Sequence, residues 1–361
     1  MSMKRLKSLT ILLLICSFLT LALTGCGGNK QAGRENNGKS SELNLFIWSN
    51  YIPQTVLDKF QEKYGIKVNQ ANYSSNEEML AKLQVGGSQY DLAVASDYMV
   101  EIMLKQKTPI VQEIDLSNVP NLKNIDAQYK NKEFDQSNKY SIAYLCGSVL
   151  LAVNTDRIKE PVKSYRDLLD PKFKNSLVVL DDQRAIIGMG LKMLGYSINE
   201  TDPAKIHQAK AEIAKLLPNI KAYDSDSPKT LLINGEAAAG LVWSAEASMA
   251  KRENPAIAIV FPEEGMYLWQ DNFVIPQGAP HKKEAELFIN FILEPEISAM
   301  IAREFPYTNP NVEAHKIMDK AILEDQSAYP PAEVLARGEF LRDVGEAVRV
   351  YDEAWSELKQ K

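Results

Sequence analysis

Apolar and polar positions change period several times along this chain. Leu43–Trp48 reads as a strand, and Pro53–Tyr64 sets Val56, Leu57, Phe60 and Tyr64 on one helical face, with Gly65 as its stop. Ile66–Tyr73 returns to a strand. Ser75-Asn76-Glu77-Glu78 forms a capping box that opens a short helix through Leu83, and Tyr90–Ala95 reads as a buried strand. This β-α-β-α-β order predicts a parallel sheet with right-handed crossovers. The pattern then restarts. Ser176–Leu180 is a strand, Arg184–Leu194 a helix ended by Gly195, and Thr201 caps a helix over Pro203–Leu217. Ala238–Trp243 and Ile257–Phe261 follow as strands, and Lys283–Glu304 as one long amphipathic helix. The expectation is two α/β sheets in succession, with Tyr140–Thr155 crossing between them.

The first residues carry a different pattern. Lys4, Arg5 and Lys7 precede an apolar run from Leu9 to Leu23, which is short for a membrane span and ends in small residues. It reads as a secretion signal. Leu23-Thr24-Gly25-Cys26 resembles the bacterial lipobox, which implies cleavage before Cys26 and acylation of its sulfur. Residues 26–41 lack the apolar content to build a core and read as a flexible tether.

The leader holds three of the 41 basic residues and none of the 47 acidic ones. The remaining 38 basic residues against 47 acidic give a net charge of −9. That balance disfavours nucleic acid and suits a cationic partner. With Cys16 in the leader and Cys26 acylated, Cys146 stands alone, so no internal disulfide forms. The three histidines, His207, His281 and His315, are scattered. No metal-spaced Cys/His cluster, Gly-rich phosphate loop or Gly-x-Ser-x-Gly elbow occurs, and no cofactor is implied.

Ligands of open α/β sheets sit beyond the carboxyl ends of the strands. Those positions are Trp48-Ser49-Asn50-Tyr51, Ser96-Asp97-Tyr98, Asp181-Asp182 and Trp243-Ser244-Ala245-Glu246. A further strand, Tyr267–Pro276, places Tyr267, Trp269, Asp271 and Phe273 on one face by alternation. Rings beside carboxylates fit a cation held between aromatic faces with acids at its charged ends. Each residue also has a structural role open to it. A strand-end Trp packs in cores, Ser49 and Ser96 suit helix caps, Asp182 suits a cap or a pair with Arg184, and Asp97 suits a structural place.

Six stretches in order, LNLFIWSNY, YDLAVASDYMV, LDDQRA, INGEAAAGLVWSAEA, FPEEGMYLWQDNFVIP and FPYTNPN, resemble the spermidine/putrescine-binding receptors of polyamine ABC importers. The resemblance runs from Leu43 to the C-terminus. It implies a type II periplasmic-binding-protein fold, two α/β lobes joined by a hinge with a ligand cleft between them. The expected division is residues 42–147 and 270–315 in lobe 1, and 148–269 and 316–361 in lobe 2. It implies a monomeric, non-enzymatic, lipid-anchored receptor that delivers to a permease with a cytoplasmic ATPase. Trp48, Ser49, Tyr51, Ser96 and Tyr98 become first-lobe contacts, and Asp182 the acid for a terminal ammonium. Trp243 and Trp269 become walls, Asp271 the central carboxylate, and Tyr307 the Tyr before the Pro-Asn step. Glu246 matches an acid of putrescine-type members. Ala185, Leu341 and Asn50 replace polar or acidic groups of some members, so the far end of the pocket is expected to be less acidic.

Two other readings stay open on the residues. One is a receptor for a zwitterion such as an ω-amino acid, with Arg184 meeting its carboxylate. The other is a surface hydrolase using Asp182, Glu246 or Asp271.

Overall fold

The computed structural model describes residues 42–86 and 89–360. The leader, Cys26 and the tether lie outside the described residues. The first half builds as the pattern requires. Strand β1 (Glu42–Trp48) pairs in parallel with β2 (Lys67–Tyr73) and, on its other side, with β3 (Leu92–Ser96). Helix α1 (Gln54–Tyr64) makes the first crossover, burying Val56, Leu57 and Phe60 and ending on Gly65 at φ 69°. Helix α2 (Asn76–Gly86) makes the second and runs three residues past the expected end. Its cap is shared: Ser75 Oγ accepts from Glu78 N at 3.1 Å, while the Glu78 carboxylate accepts from Ser74 N at 2.9 Å. Helix α3 (Asp97–Lys105) follows β3 directly.

The second half is built from β6 (Leu177–Val179), α4 (Gln183–Met193), α5 (Pro203–Leu216), β7 (Ile220–Tyr223), α6 (Lys229–Ile233), β8 (Ala239–Trp243), α7 (Ser244–Glu253) and β9 (Ile257–Val260). The cap of α5 is Asp202, which accepts from Ala204 N at 2.9 Å, and not Thr201. Pro203 takes the first helical position, where its missing N–H leaves no gap.

The expected two sheets are one. The hydrogen-bonded order is β2-β1-β3-β10-β5-β8-β6-β7, with β4 (Val111–Gln112) and β11 (Glu339–Phe340) beside β10 and β9 beside β5. The join is made by two long strands, β5 (Ile142–Asn154) and β10 (Tyr267–Pro276), which run antiparallel to each other and to the parallel sets at either end. Thirteen residues of β5, at about 3.3 Å each, are long enough to pair with β10 at one end and β8 at the other. Strand β10 is buried along its whole length.

The long helix expected over Lys283–Glu304 is broken into α8 (Lys282–Ile292) and α9 (Pro295–Glu304). Pro295 cannot donate to the turn before it, and it forces Glu294 into an extended backbone. The chain closes with a helix over Val348–Lys359. Among the described residues no helix is long and apolar enough to cross a membrane.

Candidate functional site

The carboxyl ends of β1, β3, β6 and β8 converge on a cavity that β10 crosses. The cavity has a volume of about 70 Å³. From the β1 end it is lined by Trp48, Ser49, Asn50 and Tyr51, and from β3 by Ser96. Asp182 and the turn residues Ser225 and Asp226 close one side, and Trp243 and Glu246 another. Tyr267, Trp269 and Asp271 come from β10, and Tyr307 from the loop after α9. Ser74 and Asn76, at the start of α2, complete it.

Asp271 is 5% exposed. Ser96 Oγ donates to its Oδ1 at 2.6 Å and Tyr51 Oη to its Oδ2 at 2.9 Å. Asn76 fixes Ser96 from both sides, donating to Ser96 Oγ at 3.0 Å and accepting from Ser96 N at 3.2 Å. Ser96 therefore serves the carboxylate and caps nothing. Tyr144 Oη in turn donates to Tyr51 O at 2.6 Å. Burial pushes Asp271 up to about 6, against the pull of the Ser96 and Tyr51 donors. Among the described residues no Lys, Arg or His forms an ion pair with it. A buried carboxylate with donors on both oxygens and no cation is prepared for a cation from outside.

Rings wall the same space. Trp269 meets Tyr307 edge to face at 5.1 Å between centroids, and Trp243 at 6.2 Å and 90°. Tyr307 meets Tyr51 at 5.5 Å, and Tyr267 meets Trp243 at 6.4 Å. Trp269 can pack this closely against β5 because residue 147 is glycine; a Cβ there would stand 2.4 Å from the indole Cζ2. The indole N–H of Trp243 is satisfied by Ser225 O at 3.0 Å. Those of Trp48 and Trp269 are buried with no acceptor in the protein. Phe273, the next residue on the face of Asp271, packs on Tyr144 at 4.6 Å and lies outside the cavity lining.

The other acids differ from one another. Asp182 caps α4, accepting from Ala185 N at 2.8 Å, and burial raises its pKa. It lines both this cavity and an adjoining one. Glu246 is 4% exposed and its Oε1 holds the Lys229 ammonium at 2.7 Å. Burial raises its pKa, and Lys229 opposes that rise. Asp97 accepts from Tyr98 N at 2.8 Å, and burial pushes it up to about 8; it lines neither cavity.

Ten of the eleven expected contacts therefore share the cavity: Trp48, Ser49, Tyr51, Ser96, Asp182, Trp243, Glu246, Trp269, Asp271 and Tyr307. Tyr98 stands in the adjoining cavity, where it donates to Glu77 at 3.0 Å. Arg184 also lines that second space. Its guanidinium stacks over Tyr351 at 4.9 Å and Tyr98 at 5.6 Å, and donates to Arg342 O and Asn199 Oδ1. Sequence reasoning missed Ser74, Asn76, Ser225, Asp226 and Tyr267 as lining residues. Only Tyr267 carried a signal, its place on the face of Trp269 and Asp271.

The chain matches the family model for bacterial extracellular solute-binding proteins over residues 55–328. It is a member of that family. The solute-binding assignment replaces the hydrolase reading. A similar protein, the spermidine/putrescine-binding periplasmic protein of Salmonella typhimurium, is 39% identical over 88% of this chain and 91% of its own. A putative spermidine/putrescine ABC transporter structure from Listeria monocytogenes superposes with a TM-score of 0.85 at 34% identity, covering 89% of this chain and 99% of that one. A lipoprotein of Treponema pallidum superposes at 0.80 with 28% identity, covering 89% and 100%. The solute-binding protein described here thus has the type II periplasmic-binding-protein fold, with its candidate site where β1, β3, β6, β8 and β10 meet.

Proposed function

We propose that this protein is an extracytoplasmic receptor that captures a linear polyamine, putrescine or spermidine, and delivers it to an ABC importer. The observation that carries this reading is Asp271: a buried carboxylate, given two hydroxyl donors and no protein cation, and walled by indole and phenol rings. A protonated aliphatic amine satisfies all of these at once. Its charge meets Asp271 and Asp182, and its methylenes lie against Trp243, Trp269 and Tyr307. The names of the similar proteins from Salmonella and Listeria point the same way.

The energetics are adequate. Two or three cation–π contacts at roughly 1–2 kcal/mol each and two or three charged hydrogen bonds at roughly 1.5–3 kcal/mol each give about 5–15 kcal/mol before ordering costs. Micromolar binding needs about 8 kcal/mol.

The zwitterion reading loses support from Arg184, whose guanidinium stacks on two tyrosines outside the main cavity. Calorimetric titration with putrescine, spermidine and γ-aminobutyrate separates the two. Saturable heat with the polyamines and none with the amino acid is expected; preference for the carboxylated ligand overturns the proposal.

The proposed lobes are residues 42–147 with 270–315, and 148–269 with 316–361. Trp48, Tyr51, Ser96, Asp271 and Tyr307 then fall in the first, and Asp182, Trp243 and Trp269 in the second, where Glu246 is held by Lys229. Closure would bring the two sets onto one ligand. All of these groups come from one chain, in keeping with a working monomer. Cys26 is proposed as the lipidated residue and anchors the receptor to the membrane. Cys26→Ser should release the protein from the membrane fraction while leaving polyamine binding intact.

A further inference from the structure

Glu246 reaches the cavity already occupied. Its Oε1 lies 2.7 Å from Lys229 Nζ, and its Oε2 lies 3.4 Å from Lys229 N at the first residue of α6. The pair is deeply set, with side-chain exposures of 20% for Lys229 and 5% for Glu246. Glu246 lines the ligand cavity and Lys229 does not. The ammonium therefore holds the carboxylate without itself lining the cavity. Asp226 lines the same cavity, and Asp224 stands close enough to Glu246 to raise its pKa. This end of the site is acidic in composition, yet its carboxylate facing the ligand is neutralised by the protein's own amine. Among the described residues Asp182 and Asp271 form no ion pair.

We propose that Lys229 is a specificity-determining residue, an internal counter-ion that withholds Glu246 from the ligand and limits the site to two ligand ammonium groups. The claim rests on the polyamine reading above and deepens it. A diamine finishes its charge contacts at Asp182 and Asp271. A third ammonium brought toward Glu246 meets a carboxylate whose charge is spent and a like charge 2.7 Å from that carboxylate, and like charges raise the cost of burial. Lys229 acts through Glu246 and touches no ligand. Its removal converts Glu246 from a structural anchor of α6 on α7 into a third ligand carboxylate.

The test is calorimetric titration of the wild type, Lys229→Met, Lys229→Arg and Lys229→Met/Glu246→Gln with putrescine and spermidine, with thermal unfolding run alongside. Methionine keeps the apolar stem and removes the charge. In Lys229→Met the ratio of spermidine to putrescine affinity should rise about tenfold or more, the size of one charged hydrogen bond. Lys229→Arg restores the charge and should restore the wild-type ratio. The double variant Lys229→Met/Glu246→Gln should lose the gain, and it removes the unpaired buried acid, so it reads out even where Lys229→Met folds poorly. An unchanged ratio in Lys229→Met overturns the inference, and so does a gain that survives in Lys229→Met/Glu246→Gln. A wild type that binds neither amine overturns the polyamine reading itself.

Discussion

Ser96 stands directly opposite Asp271 in the antiparallel pairing of β3 with β10, and its hydroxyl donates to the Asp271 carboxylate at 2.6 Å. The pairing register thus fixes a charge at the centre of the cavity, joining the carboxyl end of a parallel strand to a strand that runs the other way. Tyr51, one loop beyond β1, supplies the second donor.

These donors hold the carboxylate ionised against its burial. Tyr51→Phe removes one of them, worth about 1.5–3 kcal/mol for a bond to a charged group. The pH below which polyamine binding fails should move up by roughly one pH unit. Titrations across pH 5–8 check this; an unmoved profile would mean that Tyr51 does not govern Asp271.

For the wild type, Asp271 near 6 gives affinity and stability opposite pH dependences. The ligand needs the ionised acid, so affinity should be level above about pH 7 and fall by up to tenfold per unit below about 6. The free protein behaves in reverse. The folded pKa lies above the unfolded value of 3.8, so this group's stabilising contribution is complete below that value and is lost as pH rises through about 6. Asp97 has the same sign, with its loss completed as pH passes about 8. Thermal unfolding at pH 5, 6 and 7.5, with and without putrescine, should show ligand protection shrinking on acidification while these groups favour the fold.

Gly147 gives Trp269 its place. Gly147→Ala drives a methyl into the indole and to 2.9 Å from Ser244 Oγ. Overpacking of this kind costs about 1–3 kcal/mol. Both the melting temperature and polyamine affinity should fall, the second because a wall of the cavity is displaced. Wild-type affinity in Gly147→Ala would place Trp269 outside the ligand contacts.

Much of the site was readable because it follows a general rule of open α/β sheets. Trp48, Ser96 and Trp243 are the last residues of parallel strands, and Asp271 shares a strand face with Trp269. Ser225 and Asp226 lie in a polar turn before α6 with no periodic signal, and reach the cavity only through the fold. Asn76 opens a helix and reads as a cap residue; its bonds to Ser96 depend on the parallel packing of β2, β1 and β3. Tyr98 was one step from legible. Helix α3 starts at Asp97, and Tyr98 opens onto the neighbouring cavity. The continuity of the sheet was hidden because β5 and β10 are more than a hundred residues apart in sequence. The break at Pro295 was visible in the sequence and was outweighed by the apolar periodicity on either side.

The Glu246–Lys229 pair marks another limit of sequence. The two residues are 17 apart, on different helices. Nothing in their spacing shows that an acid matching a ligand contact has been given an internal partner.

The most direct measurement is calorimetric titration of putrescine into wild type and Asp271→Asn at pH 7.5, with the melting temperature of each as a check on folding. The variant keeps the shape of the side chain and loses the charge. Loss of one member of a desolvated charge pair predicts binding weaker by roughly a hundredfold or more in a protein at least as stable as the parent. Affinity within about threefold of the wild type would show that the amine is held elsewhere, and that Asp271 is not the centre of this site.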